Sequence, residues 1–569
     1  MNNPRMLLWG LLALVLFWNV QTWQRDYPST PADPTPSATT AAPAATGSSA
    51  ALFDALPDAP KAPATPAVAT APTSTPLTSP AAESAAPAAA LIHVTTDVLD
   101  LVISTRGAEI RQATLLQYPV HKAAPTDLMR LIDTDNSVAP ADFQWGLTAG
   151  GTGPEPNQRA LFSTRAERYQ LLDGQDSLTV PLTWTDGAGH SVTRTFNFTR
   201  GHYAIALADH AVNDSAEPWK LRSYAQIIHH WQKADRSMFD PSTYAFRGPA
   251  VYNGHKVQKL DLDKVDPDQL PKQPVAGGWA AVMQHHFVVA MVPAADVATD
   301  YALKVQDKNF QLTTSSPWTQ IAPGQGADFK ETLFIGPKLQ NQLAVTGPKL
   351  EYTADYGRLT IIAQPLFALL SFVQRFVGNW GFTIIIVTIL IKLAFYPLAQ
   401  SSGRSMAKMR TLAPRMKALQ ERYKDEREQL GKQMMELYKR EKVNPLAGCL
   451  PVLLQMPVFI SFYWVLLESV EMRHAPFLFW LQDMSSKDPY YILPAIMGVA
   501  MFGQYKMNPA PPDPMQAKVF AFMPLVMTVM MASLPAGLVL YWITNTGLSI
   551  LQQWRINKIV ETESQVSRA

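Results

Sequence analysis

The sequence lacks several features that soluble enzymes and secreted domains usually have. It contains one cysteine, Cys449, among 569 residues, which excludes an internal disulfide and a metal site built on clustered cysteines. Charged residues make up 17% of the chain, against roughly 25% in soluble domains. The net charge of +2 is too small for a protein whose entire surface binds nucleic acid. We therefore expect regions of different character along one chain.

Catalytic signatures are absent from the sequence as well. It has no phosphate-binding P-loop, no G-x-S-x-G nucleophile motif and no H-E-x-x-H zinc motif. Two histidine pairs occur, His229-His230 and His285-His286, but adjacent strand positions point to opposite faces, so neither pair is expected to share a metal. The sequence predicts no enzyme, no cofactor and no metal site.

The first 90 residues combine an apolar run with a low-complexity segment. Residues 6–23 are apolar and no small-residue cleavage site follows, which favours an uncleaved membrane anchor over residues 1–27 rather than a signal peptide. Residues 28–90 are rich in Pro, Ala, Thr and Ser and offer too little apolar surface to offset chain entropy. We predict a disordered, extended tether for this second segment.

The remainder divides into a β region and an apolar region. Residues 91–345 alternate short apolar and polar runs with turn residues, which predicts a large all-β sandwich. Residues 357–375, with polar ends and a central Pro365, suit an amphipathic helix in the membrane interface. Residues 376–555 predict a core of five membrane-spanning helices, at 376–397, 446–467, 490–505, 519–532 and 538–554.

One loop of this core sets the predicted orientation. Residues 398–445 contain twelve Lys or Arg and six Asp or Glu, a net charge of +6, and residues 399–443 have the composition of a helical hairpin. Because cytoplasmic loops carry excess Lys and Arg, this loop is expected inside the cell. The β domain then lies outside and both termini lie in the cytoplasm, with residues 556–569 as a short tail.

Lys392 is the most informative single residue, because it falls within the first span of the core. Its long stem could carry the ammonium group to the lipid headgroups, or the charge could face a hydrated cavity inside the bundle. The second interpretation is favoured by polar side chains on the same and other predicted spans, and a site made of these would be a hydrophilic groove. The groove candidates are Lys392, Thr388, Gln455, Thr528, Tyr541, Trp542 and Asn545.

Methionines recur along the basic hairpin at near-helical spacings. They could form the packing seam between its two helices, or an adaptable surface for apolar clients. The candidates for contact with clients or a ribosome are Met406, Lys408, Met409, Arg410, Met434 and Met435.

Several motifs together resemble the YidC family of membrane protein insertases. They are G-N-W-G at 378–381, Y-P-L at 396–398, S-M-A-K-M at 405–409, K-V-N-P-L-A-G-C-L-P at 442–451, Q-M-P at 455–457, D-P-Y-Y-I-L-P at 488–494, D-P-M at 513–515 and P-A-G-L-V-L-Y-W at 535–542. The order of anchor, tether, β domain and five-helix core resembles the long members from Gram-negative bacteria. Lys392 stands where the family typically has arginine, so charge is kept without the bidentate fork.

The resemblance implies a protein of the bacterial inner membrane that inserts, and helps to fold and assemble, newly made membrane proteins. It implies a periplasmic β-sandwich of the galactose-mutarotase-like kind and a helical insertase core. The implied partners are nascent membrane proteins, the Sec translocon with SecYEG and SecDF, the translating ribosome and membrane lipids. Two alternatives remain from the residues alone: a polytopic small-solute transporter, although no internal repeat of spans is visible, and a membrane-anchored periplasmic carbohydrate-binding protein.

Overall fold

The computed structural model describes residues 89–566, except for 137–140, 152, 232–242, 244, 264–268, 307, 424–425, 442–449 and 508–513. The predicted anchor at 1–27 and almost all of the predicted tether at 28–90 lie outside the described residues. So does most of the 442–451 motif, including Cys449. The described residues belong to one compact unit.

Two sheets form the β domain, antiparallel throughout the described residues except for one parallel strand pair in the first sheet, and the predicted sandwich is confirmed. Within the described residues, the first sheet has the strand order β16-β17-β11-β5-β4-β3-β2-β1-β7, with β18 added beside β11. Its strands are β1 Leu91–Thr95, β2 Leu99–Ser104, β3 Glu109–His121, β4 Ala124–Asp133, β5 Ala141–Ala149, β7 Arg168–Gln170, β11 Trp219–His230, β16 Asp300–Gln306, β17 Asn309–Ser315 and β18 Thr319–Ile321.

The second sheet packs its apolar face against the first. Its strand order, among the residues described, is β13-β12-β14-β15-β19-β10-β9-β8-β6. Its strands are β6 Ser163–Thr164, β8 Ser177–Thr185, β9 His190–Thr199, β10 Ala204–Asn213, β12 Gly248–Tyr252, β13 Val257–Lys259, β14 Trp279–Met283, β15 Phe287–Pro293 and β19 Gln325–Pro337.

Strand β9 shows how the alternating sequence produces this packing. Val192, Phe196 and Phe198 face the core, while the threonines between them are half-buried on the other face. The turn before β9 contains Gly187 with a φ of 73°, a conformation that glycine adopts without strain. Asp186 fixes this turn by accepting a hydrogen bond from the Ala188 N–H at 2.8 Å.

One charged pair lies in the middle of the sandwich core. Arg194 and Asp209 are both fully buried and form a bidentate pair, with Nε–Oδ1 and Nη2–Oδ2 distances of 2.8 and 2.7 Å. Arg194 Nη1 also donates to the Gly107 and Trp145 carbonyls on the side of the first sheet. Each of the three guanidinium nitrogens therefore donates at least one hydrogen bond, which is the condition for keeping a charge in a core.

The histidine pairs are placed differently from one another. His229 and His230 are the last residues of β11, as the sequence predicted for strand positions. His285 and His286 lie in the turn between β14 and β15, and their rings stack with centroids 3.8 Å apart, so the prediction that they point to opposite faces was wrong. A turn does not follow the twofold alternation of a strand.

Helices make up the part of the chain that follows the sandwich. In the described residues they are α1 Gln340–Thr346, α2 Thr360–Val377, α3 Trp380–Ala394, α4 Tyr396–Arg422, α5 Arg427–Arg440, α6 Leu450–Glu468, α7 Ile492–Met507, α8 Pro514–Met531 and α9 Ala536–Val566.

Local sequence explains where α2 ends and α3 begins. Gly378 closes α2 in the left-handed conformation, with a φ of 70°. Asn379 then caps α3, because its side-chain oxygen accepts hydrogen bonds from the Gly381 and Phe382 N–H groups at 2.9 and 3.2 Å. Gly381 packs directly against the Phe477 ring, where a larger residue would clash.

Length and composition single out two candidate membrane spans among the described residues. The first is α2, and the second is α3 taken together with the start of α4, Tyr396–Met409, which is bent from it by 68°. Helix α2 has one buried face, with Ala363 and Leu370, and one exposed face that includes Ile361 and Phe376. Such a two-faced helix also suits the interfacial position that the sequence predicts.

The helices α3, α6, α7, α8 and α9 share one apolar core with the inner face of α2. Buried residues from all six helices meet there, and Tyr541 of α9 stacks on Phe462 of α6 with ring centroids 4.4 Å apart. Helix α8 has 18 residues, longer than the 14 predicted from its apolar stretch, because it begins at Pro514 and includes polar positions. Helix α9 has 31 residues and continues past Trp554 into the predicted tail.

Helix α4 ends at Arg422 and helix α5 begins at Arg427, and the two helices pack together as a hairpin. Leu412 and Met416 are buried between the two helices. Arg415 of α4 pairs with Glu441, just after α5, at an Nη1–Oε1 distance of 2.8 Å. The hairpin is attached to the bundle through Ala407, which packs against Ile556 and Val560 of α9.

A network of polar contacts joins the β domain to the helices. Arg473 donates from Nη2 to the Pro119 and Val120 carbonyls, both at 2.8 Å. Lys338 lies 3.9 Å from Glu468, and both are almost fully buried, so burial lowers the pKa of Lys338. His285 contacts the Leu467 carbonyl at 2.8 Å. The end of α6 is thus bound to the β domain on several sides.

Glu331 of β19 is a buried carboxyl group whose titration should contribute to the pH dependence of β-domain stability. Burial raises the pKa of Glu331 to about 8, from an ordinary value of 4.5, and its Oε1 has no hydrogen-bond partner within the described residues. Between these two pH values the unfolded chain releases a proton that the folded domain keeps. We therefore expect stability to fall as pH rises from about 4.5 to 8.

The Glu331→Gln variant should have a smaller loss of stability between pH 5 and pH 8 than the parent and be more stable than the parent at pH 8. Scanning calorimetry of the full-length protein in detergent at pH 5 and pH 8 measures the change. Glu217→Gln, at an exposed position, is the matched control and should keep the parent's pH dependence. An unchanged pH dependence in Glu331→Gln would contradict the assignment.

Candidate functional site

A small cleft with both polar and apolar walls opens between four helices of the bundle. It is lined by Thr388, Ile391, Lys392, Phe395, Leu398, Ala399, Gln455, Val458, Tyr541 and Asn545. These residues come from α3, the start of α4, α6 and α9, except Phe395, which lies between α3 and α4. The cleft holds about 40 Å³, room for a few waters when one water needs roughly 10–15 Å³. A helical segment of another protein does not fit unless the four helices separate.

Lys392 lies on the wall of this cleft and points towards α9. Its Nζ donates a hydrogen bond to Ser549 Oγ at 2.7 Å, and the residue is half-buried. Ser549 in turn donates to the Asn545 carbonyl at 2.8 Å. Within the described residues Lys392 forms no ion pair. Its charge is therefore held by a neutral hydroxyl rather than balanced by a carboxylate.

Ser549 is a contact residue that the sequence analysis did not select. It lies four residues after Asn545, which places both on one face of α9, next to each other in successive turns. A serine in a helix usually bonds a carbonyl of its own helix, and Ser549 does so while also accepting from Lys392. The four-residue spacing from Asn545 was the sequence feature that could have identified Ser549 as a cleft residue.

Five of the seven predicted groove residues meet in the cleft. Thr388 is buried and its hydroxyl donates to the Ile384 carbonyl, so it adds little free hydrogen-bonding capacity. Gln455 Nε2 lies 3.5 Å from Tyr541 Oη, at the long limit for a hydrogen bond. The five are Lys392, Thr388, Gln455, Tyr541 and Asn545.

Thr528 and Trp542 are not among the lining residues. The Thr528 hydroxyl donates to the Pro524 carbonyl of its own helix, α8, and its side chain packs on Gly498 of α7. Trp542 stands edge-on to Phe459, with ring centroids 4.7 Å apart. Trp542 follows Tyr541 directly, and adjacent helical residues project about 100° apart, so only one of them faces the cleft.

The hairpin candidates divide between a buried seam and an exposed surface. Met409 and Met434 pack against the buried Leu412 and Met416, which is the role of a packing seam. Met435 and Lys408 are exposed, and Met406 is half-buried. Arg410 lies in α4, and its side chain is outside the described residues.

Two family models match the chain. The model described as the YidC periplasmic domain matches residues 91–369, and the model described as 60Kd inner membrane protein matches residues 372–563.

Full-length relatives are also similar. A protein named membrane protein insertase YidC from Thioalkalivibrio sulfidiphilus is 43% identical over 571 residues, which cover 99% of this chain and 99% of the relative. One with the same name from Nitrosococcus oceani is 43% identical over 574 residues, covering 99% of this chain and all of the relative. A solved structure, an active YidC insertase with its first transmembrane domain resolved, is 15% identical with a TM-score of 0.37, over 82% of this chain and 92% of that one.

Water access to the cleft can be measured by thiol labelling at Lys392. In a background where Cys449 is replaced by alanine, Lys392→Cys should react with a hydrophilic maleimide about tenfold faster than Leu390→Cys. The reason is that the reactive thiolate forms only where water reaches the sulfur. Leu390 is the matched control, because it is two residues away on α3 and 42% exposed on the outer apolar face. Equal slow labelling at both positions would exclude a hydrated cleft.

Proposed function

The chain belongs to the YidC family of membrane protein insertases, and we propose that the cleft around Lys392 receives the translocated end of each client. The resemblance inferred from the motifs is confirmed by relatives that are 43% identical over nearly the whole length of both chains. The protein inserts newly made integral proteins into the inner membrane and has a periplasmic β domain. It is an insertase and not an enzyme, and this assignment replaces the transporter and carbohydrate-binding alternatives.

The observation that carries the proposal is the position of the Lys392 ammonium group. It points into the bundle and donates to Ser549, rather than following the outer surface of α3. Because Ser549 is neutral, an acidic or polar client group can take its place and gain an attraction that the hydroxyl does not give. The client end would then wait in the cleft while its apolar segment moves along α9 and α6 into lipid.

Hydrophobic partition is sufficient to drive this step without nucleotide hydrolysis. Twenty apolar residues at about −0.3 to −0.6 kcal/mol each favour insertion by roughly −6 to −12 kcal/mol. A charge at the bilayer centre opposes it by about 2.5–3.5 kcal/mol. A hydrated cleft lowers that opposing figure, so short or weakly charged ends should pass unaided. For longer ends we propose that the Sec translocon, with SecYEG and SecDF, assists.

The proposed arrangement in the membrane follows from the loop charges. The net charge of +6 in residues 398–445 supports a cytoplasmic hairpin and cytoplasmic termini. Residues 1–27 would serve as an uncleaved anchor, 28–90 as a tether, and α2 would lie in the outer interface. The exposed Met435 and Lys408 are the hairpin residues best placed to contact a client or a translating ribosome.

Reversing the charge at Lys392 should impair clients according to the charge of their translocated ends. Lys392→Glu should lower insertion of clients with acidic ends by about tenfold, through like-charge repulsion, and of clients with neutral ends by less. Lys392→Arg should remain near the parent. Lys506→Glu, an exposed change of the same sign at the end of α7, is the control. Insertion into proteoliposomes is the readout, and equal defects for both client classes would argue against a role for charge.

A photo-crosslinker can locate the client directly. Benzoylphenylalanine at Gln455, which lines the cleft, should capture a stalled nascent membrane protein. The same group at Leu453, which is on α6 and 66% exposed, should capture chiefly lipid. If both positions capture only lipid during active insertion, clients do not use the cleft.

A further inference from the structure

A second cavity lies where the β domain meets the first turn of α2. It has a volume of about 370 Å³, within the range of roughly 300–1,000 Å³ that small-molecule sites occupy. It is lined by Lys256, Val257, Gln258, Lys259, Met283, Tyr352, Ala354, Asp355, Tyr356 and Thr360. None of the residues that line the cleft at Lys392 lines this cavity.

The walls of this cavity carry excess positive charge. Lys256 and Lys259 stand against one carboxylate, Asp355, which pairs with Lys259 and also accepts from the Gly357 N–H at 3.1 Å. Lys256 is exposed and forms no ion pair among the described residues. Lys349 is not part of the lining, but its Nζ lies 5.2 Å from the centre of the ring of Tyr352, which is. The one negative group is thus neutralised, and an incoming anion meets ammonium groups.

An apolar surface begins at the edge of this polar cavity. Thr360 lines the cavity, and the next residue, Ile361, is 82% exposed. Phe372 and Phe376 continue the exposed face further along α2. A charged recess followed by an apolar strip matches the shape of an amphiphile whose headgroup is anionic.

We propose that this cavity binds the phosphate group of a phospholipid in the outer leaflet, with the acyl chains along the exposed face of α2. The proposal rests on the interfacial position of α2 proposed above. Lysine recognises phosphate as a point charge. Each lysine near an anionic lipid surface strengthens binding to that surface by about a factor of five. Bound lipid would fill the recess between the β domain and the bilayer and keep the domain at a fixed distance from the membrane surface.

Native mass spectrometry of the full-length protein, released from nanodiscs of phosphatidylglycerol and phosphatidylcholine, tests this site. The Lys256→Gln/Lys259→Gln double variant should retain phosphatidylglycerol about tenfold more weakly than the parent. Lys308→Gln/Lys330→Gln removes the same charge from exposed positions elsewhere on the β domain and should retain it like the parent. Equal retention by the two double variants would overturn the proposal.

Two further arms identify the ligand and separate this proposal from the groove. Ile361→Gln/Phe372→Gln should weaken phosphatidylglycerol but not soluble glycerol phosphate. If glycerol phosphate displaces the lipid at equal concentration, the site takes free phosphate and the lipid proposal fails. If only a client's periplasmic peptide crosslinks to Lys256, a peptide is the ligand and the proposal also fails. Insertion assays on the same samples distinguish the two sites, because Lys392→Glu should retain lipid and the Lys256/Lys259 variant should still insert clients.

Discussion

The desolvation of charge is the constraint on which the rest of this structure depends. In the Arg194–Asp209 pair inside the sandwich, a bidentate salt bridge and two carbonyl acceptors offset the cost of removing the charges from water. At the junction of the β domain and the helices, the buried Lys338 and Glu468 side chains offset the same cost by lying close to each other. Lys392 is different, because one serine hydroxyl is its polar partner among the described residues. The charges of these two pairs are compensated, whereas Lys392 forms no ion pair among the described residues.

The junction gives the β domain a mechanical relation to the cleft. Arg473, Lys338 and His285 fix the end of α6 and the loop after it to the β domain. The same helix presents Gln455 and Val458 to the cleft about three turns earlier. Because buried ion pairs are costly to separate once formed, α6 has little freedom to tilt at that end. Widening of the cleft therefore falls to the other helices that line it.

Sequence patterns predicted the sandwich, because twofold alternation reports directly which face of a strand is buried. They also selected Lys392, because a lysine within an apolar span is unusual whatever its surroundings. They could not separate Tyr541 from Trp542, since the rotation of a helix about its axis is set by its neighbours and not by its own residues. The junction was equally out of reach, because Arg473 and Pro119 are more than 350 residues apart in sequence. His285 and His286 were misassigned because nothing local distinguished a two-residue turn from a strand.

Helix α9 is unbroken from Ala536 to Val566, a rod of about 47 Å at 1.5 Å per residue. Its first half carries Tyr541, Asn545 and Ser549, and its second half holds α4 through Ile556 and Val560. The cleft and the hairpin therefore contact the first and the second half of one continuous helix. Displacement of the hairpin would therefore also move Ser549, the hydrogen-bond partner of the Lys392 ammonium, because both are attached to this one helix.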